Sequence, residues 1–479
     1  MNIGIVRYIM GWLLLVVAGF MILPAAVSLY FGEKCIWAFV YVILGAGALG
    51  GLLICKKPKN NIFYTAEGYV SVALSWIVMS LVGAVPFVIS GAIPSYIDAL
   101  FETVSGFTTT GASILPEVES IPKGLLFWRS LTHWLGGMGV LVFLLCLIPL
   151  TGGSRMNLMK AESPGPQVGR LVPKVQSTAK ILYGIYISLT VAEMLILIIS
   201  GMRLFDAVTI SFGTAGTGGF GVMNDSCGSY TNIQQSVITV FMILFGVNFN
   251  VYFLILLKNI KGVLKSEEVW SYFALIVISV TIITINTFHM YESVYESFHH
   301  ASFAVGSIIT TTGFATVDFN TWPALSKTVL CILMFVGACA GSTGGGIKVS
   351  RFLLLIKTIK KQITTSLHPN AVCRIKMDGK PVEEDVLRNV HIYLITYVLI
   401  FVMSLLLISV DNHDMTTNFT AVSATFNNIG PGLSLVGPTS NFTCFSDLSK
   451  IVLSLDMLFG RLEIFPLLML FYRRTWKRM

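Results

Sequence analysis

Four short tracts of this sequence combine threonine or asparagine with glycine in a similar order. They read TTTG at 108–111, GTGG at 216–219, TTTG at 310–313 and NNIG at 427–430. Backbone carbonyls and threonine hydroxyls are neutral oxygen ligands, and glycine permits backbone angles that turn successive carbonyls to one side. None of the tracts contains a carboxylate, although calcium and magnesium sites normally use carboxylates. The tracts therefore indicate a site for a weakly hydrated monovalent cation, lined by carbonyl oxygens.

The tracts belong to a longer repeat, because each one follows an apolar run of helix length. Their last glycines are separated by 108, 94 and 117 residues. A single TTTG is usually a turn between helices, but four copies in register between paired apolar spans favour a pore. The candidate ion ligands are the last three residues of each tract: Thr109, Thr110, Gly111, Thr217, Gly218, Gly219, Thr311, Thr312, Gly313, Asn428, Ile429 and Gly430.

The apolar run before each tract is too short to cross a membrane. A helix of about 12 residues covers little more than half of the hydrocarbon layer, so each tract must return to the face from which the chain entered. Non-helical backbone at that depth is tolerated where it is buried in protein or lines a watery cavity. The carboxyl end of each half-helix, which carries a partial negative charge, would point at the membrane centre and favour a cation there.

The composition places the chain in a membrane. Of its 479 residues, 54% are hydrophobic and 12% are charged, and the mean hydropathy is +0.78. Eight stretches without a charge are long enough to span a bilayer, and two more apolar stretches carry internal charges. The ten candidate spans are 8–32, 36–55, 68–97, 130–154, 181–200, 226–257, 269–291, 328–347, 389–410 and 451–472.

Most of the 32 lysines and arginines fall in alternate loops and in the C-terminal tail. The positive-inside rule therefore places both termini in the cytoplasm, and it explains the net charge of +8 without nucleic acid. The resulting prediction is an all-α integral membrane protein, with an N-terminal hairpin and four span–pore-loop–span repeats around one pore. The predicted divisions are 1–60 for the hairpin and 61–170, 171–262, 263–380 and 381–479 for the four repeats.

The eighth span contains an unusual break at Gly341, Ser342, Thr343, Gly344, Gly345 and Gly346. Each glycine inside a helix costs on the order of 1 kcal/mol relative to alanine. The break is either a kink at a close helix crossing or a loop beneath the filter that blocks and opens the path. Lys348 follows it, and we expect this lysine to be the first cytoplasmic anchor rather than a charge facing the pore.

Two arginines lie within apolar spans. Arg461 is in the middle of its span, where an unpaired charge is expensive, so it should face the protein interior or the pore. Asp456 and Glu463 are the nearest acids in sequence, but their spacing is poor and the partner could lie on another helix. Arg129 is near the outer end of its span, and we expect it to extend to the membrane interface.

The chain resembles the Trk/Ktr/HKT superfamily of potassium transporters, and within it the TrkH type. The resemblance covers essentially the whole chain and includes WLGGMGVLVF (134–143), KAESPGP (160–166), GACAGSTGGGIKV (337–349), HPNAV (368–372), NNIGPGL (427–433) and MLFGRLEIF (457–465). It implies a potassium pore in a bacterial inner membrane, with a gating loop at 341–346 against which Arg461 forms an electrostatic barrier. A purely structural salt bridge of Arg461 is the alternative. Gly111, where sodium-carrying members often have serine, favours potassium.

The resemblance also implies a homodimer docked on a cytoplasmic ring of nucleotide-binding TrkA-type subunits. The chain itself has no Walker A motif and no Rossmann fingerprint, so we expect it to bind no nucleotide cofactor and to carry potassium only as substrate. The partner would dock on the basic segments 155–180 and 357–380. Within this architecture, sodium or mixed transport and ion-coupled alternating access stay open. An enzyme is disfavoured because the 7 histidines and 24 acids form no cluster in the sequence.

Overall fold

The computed structural model describes residues 1–58, 65–137, 139, 175–371 and 373–476. The second half of the predicted span 130–154, the KAESPGP motif and most of the basic segment 155–180 lie outside the described residues. So do Val372 of HPNAV and the last basic residues of the tail.

Helices form most of the described chain and strands almost none of it, which confirms the predicted all-α class. The N-terminal hairpin and first repeat contain α1 (Ile3–Tyr30), α2 (Ile36–Cys55), α3 (Thr65–Ile89), α4 (Tyr96–Phe107) and α5 (Lys123–Gly137). The second repeat contains α6 (Val175–Ile199), α7 (Leu204–Gly216), α8 (Asn232–Phe245) and α9 (Phe249–Leu256), followed by a short connector α10 (Ile260–Leu264).

The second half of the chain repeats this plan. The third repeat contains α11 (Glu267–Thr287), α12 (Val294–Ile309), α13 (Ala324–Val336) and α14 (Val349–Leu367). The fourth contains α15 (Glu384–Ile408), α16 (Met415–Phe426), α17 (Asp447–Arg461) and α18 (Phe465–Phe471). Short 3₁₀ helices are Phe288–Met290, Phe319–Thr321, Ser409–Asp411, Ser434–Val436, Phe442–Cys444 and Arg473–Trp476. Strands β1 (Lys376–Met377) and β2 (Lys380–Pro381) pair antiparallel across the turn between α14 and α15.

Six helices in the described residues are long and apolar enough to cross a bilayer, namely α1, α2, α3, α6, α11 and α15. The predicted span 226–257 is instead a pair of helices, α8 and α9, bent by 87°. Of the predicted span 130–154, only 130–137, at the end of α5, and residue 139 are described. The predicted span 328–347 contains the end of α13 followed by non-helical chain, and the span 451–472 contains two shorter helices, α17 and α18. Residues of α5 and α17 and the chain after α13 contribute to the site described below.

The bend between α8 and α9 has a tertiary cause. A β-carbon on Gly246 would lie 2.4 Å from the hydroxyl oxygen of Tyr272 on α11, so the chain approaches that helix closely. The Gly246 carbonyl then accepts a hydrogen bond from Cys339 N–H, and Phe249 N–H donates to the Gly341 carbonyl. The backbone groups that a straight helix would pair internally are thus paired with the segment between α13 and α14.

The four short helices α4, α7, α12 and α16 have 12, 13, 16 and 12 residues and are largely buried among the longer ones. Three begin with a side-chain cap, in which Ser95, Ser293 or Asp414 accepts a backbone hydrogen bond. The long helices expose leucine and isoleucine outward. On α15, for example, Ile395 and Leu399 are 61% and 62% exposed. Polar interior helices inside an apolar exterior are the arrangement expected of a bundle that faces lipid.

Candidate ion filter and gate

The four short helices end in the same backbone turn. Thr109, Thr217, Thr311 and Asn428 each have a left-handed conformation, with φ of 57°, 53°, 60° and 55°. The N–H of the next residue bonds back to the carbonyl five residues earlier, at 2.8 to 2.9 Å in all four repeats. This is the Schellman helix ending, which usually places glycine at the left-handed position. Each helix is thereby stopped at the same point relative to its tract.

The four tracts form a ring in chain order. Gly111, Gly219, Gly313 and Gly430 have φ of 80°, 80°, 87° and 98°. A β-carbon on Gly111 would lie 2.0 Å from the carbonyl oxygen of Gly218, in the second tract. The same construction places Gly219 against the Thr312 carbonyl at 2.0 Å, Gly313 against that of Ile429 at 2.0 Å, and Gly430 against that of Thr110 at 2.8 Å. Each glycine therefore makes room for the carbonyl of the next tract, and the fourth returns to the first.

The predicted ligand residues all come together at this ring. The side chains of Thr109, Thr110, Thr217, Thr311 and Asn428 are at most 1% exposed. The four glycines also line one common cavity, which continues along the chain that leaves the tracts. This cavity is therefore the mouth of the ring on the side where the chain leaves the tracts.

The asparagines of the fourth tract replace threonine hydroxyls with a longer amide. The Asn428 side chain donates to the hydroxyl of Thr110 and to the carbonyl of Met457, both at 2.9 Å. At the position that corresponds to Asn428, the Thr109 hydroxyl in tract 1 donates to the carbonyl of Thr108 at 2.7 Å and so bonds within its own tract. The amide thus ties the fourth repeat to the first, where the ring closes.

The glycine-rich break is a non-helical segment that joins α13 to α14. Gly345 N–H donates to the hydroxyl of Thr311 at 2.6 Å, and Gly346 N–H donates to the carbonyl of Asn427 at 3.1 Å. A β-carbon on Gly345 would lie 2.4 Å from that same carbonyl. The segment 341–346 therefore lies directly against Thr311 of tract 3 and Asn427 of tract 4.

Two charged side chains fasten this segment. Glu268 on α11 accepts hydrogen bonds through one carboxylate oxygen from Ala340 N–H at 2.7 Å and Ser350 N–H at 3.2 Å, so it joins the two ends of the loop. Lys348 is 2% exposed and donates to the Gly344 carbonyl. The expectation that Lys348 anchors at the cytoplasmic interface is wrong, because the Lys348 side chain is buried and bonds to a carbonyl of the loop itself. We did not predict a role for Glu268 from the sequence, because its partners Ala340 and Ser350 lie 72 and 82 residues later and no local pattern relates them to it.

Arg461, the last residue of α17, reaches the same place. Its guanidinium donates to the Thr343 carbonyl of the loop at 2.9 Å, to the Thr109 hydroxyl at 3.2 Å, and to the carbonyls of Gly136 and Gly137 on α5. The acids considered as its partners are engaged elsewhere. Glu463 pairs with Arg351, and Asp456 accepts from the Ser404 hydroxyl at 2.6 Å.

Arg129 does not extend to the membrane interface. It is 3% exposed and forms an ion pair with Glu102 on α4 at 2.7 Å. The expectation failed because the acid lies 27 residues earlier on a different helix, a separation that carries no local sequence signal. His133 is buried beside Gly218 of the second tract and stacks on Phe220 with ring centroids 4.1 Å apart.

Comparisons with known proteins agree over the full length of the chain. A family model described as the TrkH cation transport protein matches residues 37–477. The Trk system potassium uptake protein TrkH of Escherichia coli K12 is 37% identical over 487 residues, covering all of both chains. The TrkH protein of Vibrio parahaemolyticus is 35% identical and covers 98% of each chain.

A solved structure shows the same architecture. The crystal structure of the potassium transporter TrkH from Vibrio parahaemolyticus superimposes with a TM-score of 0.89 at 33% identity and covers all of both chains. The similarity therefore includes the N-terminal hairpin as well as the four repeats and their ring. This chain belongs to the TrkH family of cation transport proteins.

Proposed function

We propose that this chain is the potassium-conducting subunit of an uptake system, with its filter at the ring of four tracts. The observation that carries the proposal is the closed order of the ring, in which each tract glycine accommodates the carbonyl of the next tract. Relatives that match the chain from end to end are named potassium uptake proteins, which supports the same conclusion.

The ring supplies the chemistry that a potassium ion needs. Its oxygens are carbonyls and hydroxyls, which can replace the hydration shell of a weakly hydrated ion without the deep binding that carboxylates would cause. The carboxyl ends of α4, α7, α12 and α16 all meet at the ring, and their partial negative charges favour a cation there. Conduction through the ring needs no covalent step and no bound nucleotide in this chain.

The loop 341–346 and Arg461 together form the gate in this proposal. The loop occupies the inner end of the filter through its bonds to Thr311 and Asn427. Arg461 holds the loop at Thr343 and the filter at Thr109, so it places a positive charge on the path of a cation. An open state would require the loop to leave Thr311 and Arg461 to leave the axis.

The proposal includes an orientation and partners. Both termini lie on the cytoplasmic side of a bacterial inner membrane, and the distribution of basic residues supports this orientation. The protein works as a homodimer that docks on a cytoplasmic ring of TrkA-type nucleotide-binding subunits. The basic face of α14 and the β1–β2 hairpin, within 357–380, support a cytoplasmic docking surface. Lys357 there already links α14 to Glu267 and to the carbonyl of Lys376.

The test is flux through the purified protein in liposomes, measured separately for potassium and sodium. In Gly111→Ser the new β-carbon would meet the Gly218 carbonyl at 2.0 Å, so we expect the potassium preference to fall at least tenfold. Gly91→Ser is the matched control. Gly91 also has a positive φ, of 75°, but a β-carbon there meets no atom within 4 Å. We expect it to keep the wild-type preference.

The alternatives give different results. Equal potassium and sodium flux in the wild type would favour a mixed cation transporter, and strict dependence on a proton or sodium gradient would favour coupled transport. A wild type without flux is compared with a variant that lacks 341–346, which should conduct if the loop closes a pore. A silent deletion variant, properly folded, would contradict the proposed pore.

A further inference from the structure

A buried ion pair lies behind the outer half of the filter and has no part in the gate. Glu102 is on pore helix α4 and Arg129 is on α5, and their side chains are 0% and 2% exposed. Two charges taken out of water in this way rarely stabilise a protein more than apolar residues of the same volume would. The pair therefore calls for an explanation in terms of what it positions.

Glu102 holds the chain that leaves the first tract. One carboxylate oxygen accepts the N–H of Ile114 at 2.9 Å. The hydroxyl of Ser113 lies 3.1 and 3.2 Å from the two carboxylate oxygens. These residues follow Gly111 by three and two positions. Since α4 leads into the tract and Ser113 leads out of it, Glu102 closes the first tract into a rigid loop.

Arg129 extends this support to the second tract. Its guanidinium donates to the Ser113 hydroxyl at 3.2 Å and to the Gly221 carbonyl at 3.3 Å. It also lies 4.0 Å from the centre of the Phe220 ring. Phe220 and Gly221 directly follow Gly219. One guanidinium thus contacts the exits of both tracts, at the seam where the Gly218 carbonyl meets Gly111.

The third and fourth repeats support the corresponding backbone with hydroxyl groups. In the third, Ser307 donates to the Phe314 carbonyl at 2.6 Å. In the fourth, Thr420 accepts from Leu433 N–H at 2.9 Å. Each of these bonds joins a pore helix to the exit of its own tract. The Glu102–Arg129 pair differs because it joins two repeats to each other.

We propose that Glu102 and Arg129 are positioning residues that fix the spacing of the first two tracts and thereby set the preference for potassium over sodium. Their contacts are with the chain that leaves the first two tracts. Without the pair the first two tracts can move closer, and a contracted ring accepts the smaller sodium ion. This inference rests on the proposed function of the ring as a potassium filter.

The test compares potassium and sodium flux in liposomes for Glu102→Gln and for the double variant Glu102→Gln/Arg129→Met. Glutamine keeps the size of the side chain and an oxygen for Ile114 N–H, but it cannot form the ion pair. The double variant leaves no lone buried charge, which protects folding. We expect the ratio of potassium to sodium flux to fall at least tenfold in both variants, while potassium flux persists.

The matched control is the double variant Asp98→Asn/Lys450→Met. Lys450 and Asp98 also form a mostly buried pair, at 2.6 Å, between α17 and the first turn of α4. Neither residue contacts the exit of a tract, so the flux ratio should stay at the wild-type value.

Four other outcomes of these experiments would contradict the inference. A selective wild type with unchanged ratios in both Glu102 variants would overturn it and leave the proposed function standing. A wild type without potassium preference would overturn the proposed function and this inference together. If both variants lose the peak of folded dimer or monomer in size-exclusion chromatography, the pair is required for folding and not for selectivity. An equal fall in the Asp98/Lys450 control would show that any buried pair near α4 has this effect.

Discussion

At the scale of single residues, Arg461 joins the proposed gate to the ring through hydrogen bonds to backbone carbonyls and to one hydroxyl. Arg461 donates to the carbonyls of Thr343, Gly136 and Gly137, and to the hydroxyl of Thr109. In the proposed gate, these bonds hold the guanidinium and its positive charge beside Thr109 of the first tract, where a passing cation would be repelled.

Removing this charge should increase conduction. At an effective dielectric constant of 20, a unit charge about 5 Å from a potassium ion costs roughly 3 kcal/mol, which corresponds to about a hundredfold in rate. We expect Arg461→Gln to raise potassium flux in liposomes at least tenfold without any cytoplasmic partner, and Arg461→Lys to change it much less.

Arg473→Gln serves as the control, because this arginine is exposed in the C-terminal turn. A flux in Arg461→Gln no higher than in this control would mean that the arginine is structural and that the loop alone closes the path.

Residue types indicated the four tracts of the candidate filter, but they did not indicate the groups that support these tracts. The tracts could be found because four copies of one pattern are rare and because glycine and threonine have specific backbone roles. The partners of Arg461 could not be found, since every residue carries a carbonyl. Glu102 and Arg129 are both ordinary in sequence, and their pairing depends on how α4 packs against α5.

At the scale of elements, the gating loop is held by the first turn of another helix. Glu268, on α11, receives the N–H groups of Ala340 and Ser350 and so closes the loop at its base. Its neighbour Glu267 exchanges hydrogen bonds with Asp378 in the β1–β2 hairpin, at 2.8 and 3.1 Å. The same helical turn therefore contacts both the ends of the 341–346 loop and the β1–β2 hairpin.

Loss of the Glu268 carboxylate should loosen the gate. We expect Glu268→Ala to raise basal potassium flux several-fold, because two buried N–H groups at the base of the loop would lose their acceptor. Glu268→Gln keeps an acceptor oxygen and should stay closer to the wild type.

The control is Glu384→Ala, which removes an acid from the first turn of α15, where the side chain is 92% exposed. If Glu268→Ala conducts no more than Glu384→Ala, the loop is held in place by its contacts with the filter alone.

The span that the sequence placed at 226–257 shows why elements are harder to predict than tracts. It contains no charged residue and is long enough to cross a bilayer, so the pattern predicts one span. The 87° bend arises because α9 bonds to the loop between α13 and α14, about 90 residues later in the chain. Local pattern contains no information about such a contact. The breaks at 341–346 could be predicted because consecutive glycines are a local signal.

At the scale of the whole molecule, the predicted orientation has a direct test. Cys55 and Cys444 are both exposed, and they lie at the end of the N-terminal hairpin and in the loop before α17. The proposed topology places Cys55 at the cytoplasmic face and Cys444 at the outer face. Single-cysteine variants that retain one or the other allow each face to be labelled separately.

In right-side-out vesicles, a membrane-impermeant maleimide should label the Cys444 variant and leave the Cys55 variant unlabelled. Permeabilised vesicles, in which both should react, control for accessibility. Labelling of Cys55 before permeabilisation would reverse the proposed orientation and would place the loop 341–346 on the outer side of the filter.

The four quarters of the ring are encoded separately in one gene, which affects how such a filter can change. In a channel built from four identical chains, any substitution alters all four positions together, and its energetic effect is multiplied by four. Here a substitution alters one quarter, so the asparagines of the fourth tract and the threonines of the first and third can differ without disturbing one another. Ion preference can therefore be adjusted over many generations in small steps, each compatible with survival, where a symmetric channel has to accept one large step at once.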